Sequence, residues 1–244
     1  MLFALILLTA AGKLGLLWRT LQTRKTMLGL LASGICVSTN WGAYIWAIAH
    51  GQALDASLAY YMLPLVMLGL GMILLHEKLN RRQQAAIAIV VLAVALLTYD
   101  RGRLPWVVLV LPLSFGFYSL IRKQLVVDAL IGVTIEALIL MPAAAIYLLT
   151  RPEGGALATG DAKTQFMLVA AGPLTTIPLV LFSFGARRMK MATLGLMQYM
   201  NPTLQMLCAV LLMGEMLSRM QIVTFAMIWL GLAIYSLPLT KPAS

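Results

Sequence analysis

LAYYMLPLVMLGLGMILLHEKLNRRQ at residues 58–83 and LMQYMNPTLQMLCAVLLMGEMLSRMQ at residues 196–221 are two versions of one element, 138 residues apart. Without a gap, Tyr61, Met62 and Pro64 fall on Tyr199, Met200 and Pro202. Glu77, Leu79, Arg81 and Gln83 fall on Glu215, Leu217, Arg219 and Gln221. Further along, Ala88, Leu92 and Ala95 meet Ala226, Leu230 and Ala233. An apolar chain matches Leu and Ala by chance, but not Tyr, Pro, Glu, Arg and Gln in one register. The chain therefore carries an internal duplication, and the repeat decides the architecture.

The surrounding sequence says in what medium the repeat folds. Of 244 residues, 61% are hydrophobic and 11% charged, with a mean hydropathy of +0.92. Soluble domains carry roughly 25% charged residues, and disordered chains are poor in hydrophobics. At about 20 apolar residues per span, the chain reads as a polytopic membrane protein. Apolar runs between charged breaks lie at 1–12, 27–49, 57–75, 83–99, 104–122, 129–150, 165–186, 192–213 and 220–239. With the 13–26 loop placed in the cytoplasm, 13 Lys and Arg residues fall on the cytoplasmic side and 5 on the other. That bias orients the chain, and it explains the net charge of +10 without nucleic acid.

The 138-residue offset carries 27–48 onto 165–186, and it maps the helix at 104–122 to positions ahead of residue 1. The expected organisation is a first half at 1–99, incomplete at its N-terminus, and a second half at 104–240. Five helices per half is an odd number, so the halves cross the membrane in opposite senses. The expectation is an all-α inverted repeat of five-helix bundles, ten helices in the intact form, with the first absent here.

Several polar residues sit where hydrocarbon penalises them. Glu136 is the only acidic residue well inside an expected span, and such carboxylates face a bundle interior or a wet cavity. It reads as a substrate-charge or proton site, the alternatives being a position near the membrane edge or neutralisation by a basic neighbour. Asn40-Trp41 lies mid-span, where the amide binds substrate or joins two helices. Pro64 and Pro202 each remove a backbone hydrogen bond inside a helix. With Tyr61, Tyr199, Gln198 and Asn201 beside them, they point to matched hinges around a midplane cavity, or to packing kinks alone. Glu77 and Glu215 lie in tight loops, where a carboxylate at a helix start pairs with the helix dipole; they read as structural.

Six stretches carry a resemblance: Asn40-Trp41 with the aromatic run to Trp46, LDASLAYYMLPLV at 54–66, HEKLNRRQ at 76–83, Phe117-Tyr118 to Arg122-Lys123, IEALILMPAAAIY at 135–147, and TLGLMQYMNPTL at 193–204. In order and spacing the chain resembles the EamA-type permeases of the drug/metabolite transporter superfamily. It is closest to the RarD group, often labelled chloramphenicol-sensitive protein. The family's Gly-Glu at the end of its fourth helix reads His76-Glu77 here, while Gly214-Glu215 keeps it in the second half. The resemblance implies a helix ahead of residue 1.

Enzyme classes fail on inventory. His50 and His76 are the only histidines, and the expected topology puts them on opposite sides of the membrane. Asp55, Asp100, Asp128 and Asp161 lie near loops, and no GxxxxGK[ST] phosphate loop occurs, so the chain does not itself hydrolyse ATP. The expected function is secondary transport of a small metabolite or drug, outward across the bacterial inner membrane, by alternating access. No cofactor is expected, and the proton is the candidate coupling ion. The expected partners are a small-molecule substrate, the lipid bilayer and a second copy of the chain in a homodimer. The rival reading is a non-transporting membrane component or an inactive permease remnant.

Overall fold

The computed structural model describes residues 2–50, 53–101, 106–150, 159–201, 203–204 and 219–236. Among these residues there are helices and no strands. In chain order they are α1 (Leu2–Ala10), α2 (Leu14–Leu21), α3 (Arg24–Ala49), α4 (Ala53–Leu74), α5 (Arg81–Arg101), α6 (Trp106–Gln124), α7 (Ala129–Leu149), α8 (Ala162–Ala186), α9 (Met191–Met197) and α10 (Arg219–Ser236). The repeat is visible in where helices begin. Arg24 opens α3 and Ala162 opens α8, 138 residues apart.

The helices follow the apolar runs with two differences. First, the expected 13–26 loop contains α2. The chain turns at Gly12, whose φ of 66° is open to glycine at little cost, and α2 leaves α1 at 118°. Leu17 and Leu21 of α2 pack against the cluster of Leu8, Leu30 and Ile131, while Trp18 stays exposed. Second, the expected 192–213 run is broken. α9 stops at Met197, and the N–H groups of Gln198, Tyr199 and Asn201 bond three residues back, to Gly195, Leu196 and Gln198. Pro202 lies outside the described residues, but a proline there cannot donate to the carbonyl of Gln198, which Asn201 takes at 3.1 Å instead. The counterpart α4 runs unbroken through Pro64.

Helices α6, α7 and α8 are each long and apolar enough to cross a membrane. Only 11% of the α8 span is buried, and Phe166, Leu174 and Leu181 stand exposed along it. Water would not tolerate such a surface; lipid does.

Two compact units divide the chain, and the boundaries fall inside α3 and α6. One unit contains Met1–Ser38 and Phe117–Met189, the other Thr39–Gly116 and Lys190–Ser244. In the first unit α7 packs against α1, α2 and α8. Its turn into α7 is fixed by Asp128, which accepts from the N–H groups of Leu130 and Ile131 and from Lys13 Nζ at 2.8 Å. Partial burial pushes the Asp128 carboxyl up, but these donors outweigh it and hold the group below its ordinary value. In the second unit, repeat counterparts pack together: α5 along α10, and α4 against α9. A Cβ on Gly231 would meet Val90 Cγ2 at 2.8 Å and the Ala86 carbonyl at 3.0 Å, so glycine there lets α10 lie close on α5.

The HEKLNRRQ stretch is a chain of caps. Leu75 and Glu77 both donate to the Gly71 carbonyl, at 3.2 and 3.0 Å, and His76 between them has a φ of 51°. The helix thus ends with His76 in the left-handed conformation common just past helix C-termini, and two N–H groups share the Gly71 carbonyl. Asn80 and Gln83 then exchange side-chain-to-backbone hydrogen bonds of 2.9 and 3.0 Å, a reciprocal capping box that starts α5.

Candidate functional site

The second unit carries an open cavity of about 300 Å3, at the small end of ligand-site volumes. Helix α3 brings Asn40, Trp41 and Tyr44, α4 brings Tyr60 and Leu63, α6 brings Phe115, and the turn after α9 brings Gln198 and Asn201. Among the lining residues none is acidic or basic. Tyr60 and Gln198 are repeat counterparts, and so are Leu63 and Asn201. The cavity is thus built on the same two positions of both copies, aromatic and aliphatic in the first, amide in the second.

Asn40 is oriented by its neighbours. Its Nδ2 donates to the Leu111 carbonyl at 2.7 Å and to Ser114 Oγ at 3.3 Å, and Ser114 Oγ donates to the same carbonyl at 3.1 Å. A carbonyl only accepts, so the amide cannot be reversed, and both of its hydrogens are committed. What remains of Asn40 is an acceptor, Oδ1. Tyr44 and Tyr60 meet edge to face at 5.9 Å, a geometry aromatic pairs favour.

Four of the residues expected at a cavity therefore come together: Asn40, Trp41, Gln198 and Asn201. Tyr61 and Tyr199, expected beside them, do not line it. Both are buried in the core with Val90, Phe225 and Ile228, and the Tyr199 hydroxyl donates to the Tyr61 carbonyl at 3.0 Å, one repeat position touching its counterpart. The cause is helix geometry, since adjacent residues point about 100° apart. Tyr60 and Gln198 face the cavity; Tyr61 and Tyr199 face the core.

Glu136 lies in the other unit, in a buried polar cluster. Ser33 Oγ is 2.5 Å from its Oε1, and Arg122 NH1 is 3.6 Å from the same oxygen. Arg122 is 1% exposed, although a basic pair such as Arg122-Lys123 at the end of a span ordinarily anchors it at the membrane edge. Its Nε donates to Ser183 Oγ at 3.2 Å and its NH2 to the Ala129 carbonyl at 3.1 Å, while the Tyr118 hydroxyl lies 3.1 Å from Ser183 Oγ. Gly132 makes the room, because a Cβ there would sit 1.9 Å from Arg122 NH1. The sequence carried a signal for this partner: a carboxylate in hydrocarbon requires a counter-charge, and Gly132 and Glu136 share one face of α7 at a spacing of four.

Glu77 accepts from the N–H groups of Met191 and Ala192 at 2.8 and 3.2 Å. It caps α9, a helix more than a hundred residues away, rather than a helix in its own loop. Glu215 lies outside the described residues. Among the described residues no group of three His, Cys, Asp or Glu side chains is placed to hold a metal ion.

The EamA-like transporter family matches over residues 1–99. An uncharacterised transporter of Pseudomonas aeruginosa is 46% identical over 222 residues, which is 90% of this chain and 74% of that one. Protein RarD of Salmonella typhi is 40% identical, and protein RarD of Escherichia coli 37%, each over 235 residues covering 96% of this chain and 80% and 79% of theirs. A protein of known crystal structure superposes with a TM-score of 0.72 at 19% identity, covering 96% of this chain and 82% of that one. The helices and their apolar spans define an all-α polytopic membrane protein. The chain belongs to the EamA-like transporter family, within its RarD group.

Proposed function

We propose that this protein exports a small, uncharged or zwitterionic metabolite or drug across the bacterial cytoplasmic membrane by alternating access, and that the substrate binds in the cavity of the second unit. The reading rests on one observation: Asn40, Gln198 and Asn201 converge with Trp41, Tyr44, Tyr60 and Phe115 around about 300 Å3 of space. The aromatic groups offer flat apolar contact, and Asn40 Oδ1 offers an acceptor to a ligand N–H or O–H. A lining without formal charge disfavours a strongly ionic cargo, whose hydration shell nothing there would replace. Energy for transport comes from a gradient, as the absence of a phosphate loop in the sequence implies. Pro64 in α4 and the turn at Gln198 and Tyr199 are the proposed hinges.

The test is metabolite profiling of the medium around cells that express the wild type or Gln198→Leu at matched membrane abundance. Gln198 touches the cavity without entering the Asn40–Leu111 contact, so the variant removes one ligand hydrogen bond and leaves the α3–α6 packing intact. One neutral hydrogen bond is worth about 1 kcal/mol, so a compound enriched outside wild-type cells should fall by roughly five- to tenfold. If the same compound leaves equally fast from both, the cavity is not the substrate site.

A further inference from the structure

Ser33 has one hydroxyl hydrogen and two acceptors. Its Oγ lies 3.1 Å from the Leu30 carbonyl and 2.5 Å from Glu136 Oε1. If that hydrogen points to the Leu30 carbonyl, the short contact to Glu136 has a proton only when Glu136 supplies it. If it points to Glu136, the carboxylate is ionised. Each charge state of Glu136 therefore has a hydrogen bond to Ser33 available to it, and the two differ by rotation of a single O–H.

Arg122 is held independently of that choice. Ser183 and the Ala129 carbonyl take its Nε and NH2, whereas NH1 is 3.6 Å from Glu136, beyond a hydrogen bond. Among the described residues, Arg122 NH1 and Glu136 Oε2 are both buried without a hydrogen-bond partner. The pair is thus an ion pair by charge but not a closed one. Ser33, Arg122 and Glu136 are 0%, 1% and 2% exposed.

We propose that Ser33, Arg122 and Glu136 form a proton-loading site that couples transport to the proton gradient, with Ser33 as the group that accommodates both protonation states. The coupling rests on the transport reading above; the loading site does not. On loading, an O–H bond of hydronium breaks as the O–H bond to a Glu136 carboxyl oxygen forms, leaving water; on unloading that carboxyl O–H breaks and the proton returns to water. Unloaded, the buried pair is neutral overall; loaded, it carries the single positive charge of Arg122 in a low-dielectric setting, so the two states differ sharply in the surroundings they tolerate. The neighbours that bear on Glu136 are few. Helix α6 brings Arg122 and the Tyr118 phenol, α3 brings Ser33 with Cys36 three residues on, and α8 brings Ser183, with Lys163 and Arg187 at its two ends. Helix α1 has no titratable side chain, and the face of α2 packed here is Leu17 and Leu21.

The experiment is infrared difference spectroscopy of the full chain reconstituted in phospholipid vesicles, stepped from mildly alkaline to mildly acid buffer, with the proton itself as probe. The expected result is a protonated-carboxyl band that appears on acidification, is absent in Glu136→Gln, and shifts in frequency and midpoint pH in Ser33→Ala. A band of the same size in Glu136→Gln, or no band in the wild type, overturns the loading site. Ser33→Ala removes only a hydroxyl, so it decides the matter if Glu136→Gln does not fold; an unmoved band overturns the role of Ser33. Export of the compound found by profiling is then followed with and without a protonophore. If export is unaffected, coupling is overturned while the cavity reading stands. If no compound is exported at all, the transport reading falls with the coupling, and the infrared band alone decides the loading site.

Discussion

Arg122 shows how one glycine decides the fate of a charge. Its guanidinium occupies the place where a side chain at 132 would begin, and three of its neighbours are serine, glycine and a backbone carbonyl. Gly132→Ala must push the guanidinium off the Glu136 side, which separates a buried pair. Breaking such a pair costs about 3–5 kcal/mol. We expect the variant to melt well below the wild type in detergent, whereas Gly172→Ala, with nothing within 4 Å of its added Cβ, should melt unchanged. Equal melting of Gly132→Ala and the wild type would show that the pocket around Arg122 yields freely. At this scale the sequence was half legible. Glu136 is marked by its cost in hydrocarbon, but nothing marks Arg122, because a basic residue beside Lys123 at a helix end is the ordinary pattern of a membrane-edge anchor. Lys123 reaches to the turn after α8, donating to the Met189 carbonyl, whereas Arg122 is buried against Ser183 and the Ala129 carbonyl. Tyr60 and Tyr61 pose the same problem, since two adjacent tyrosines in one motif give no hint of which faces the cavity.

At the level of elements, apolar length located nearly every helix, while local chemistry set where they stop. Helix α2 escaped notice because eight residues, LGLLWRTL, are too few for a span and carry an arginine. The break after α9 was legible as a proline, but not its position, because the chain already turns at Gln198 and Tyr199. The end of α4 was legible in another way: the family's glycine at position 76 matches a left-handed φ, here borne by histidine. A left-handed backbone costs a non-glycine residue roughly 1–2 kcal/mol, and glycine's greater freedom in the unfolded chain returns part of that. His76→Gly should therefore stabilise the protein by about 1 kcal/mol, raising the temperature of thermal unfolding in detergent. A lower unfolding temperature would mean that the imidazole makes a compensating contact.

Across the molecule, the duplication was legible because a constant offset survives in Tyr, Pro, Glu, Arg and Gln. The division into compact units was not, because each unit joins segments from both halves of the sequence, and no local period encodes such pairing. Sidedness follows from the distribution of Lys and Arg, and it can be measured. With Cys36 and Cys208 replaced, single cysteines at Thr23 and Lys78 should react with an impermeant thiol reagent only from the cytoplasmic side, and one at Lys163 only from outside. The reverse pattern would invert the orientation. One further consequence belongs to the cavity. The two copies differ at 60 and 198, tyrosine against glutamine, and at 63 and 201, leucine against asparagine. The same register positions thus give the cavity an apolar wall from one copy and an amide wall from the other. A guest with one polar and one apolar end would be held in a single orientation, its head told from its tail by which copy it faces.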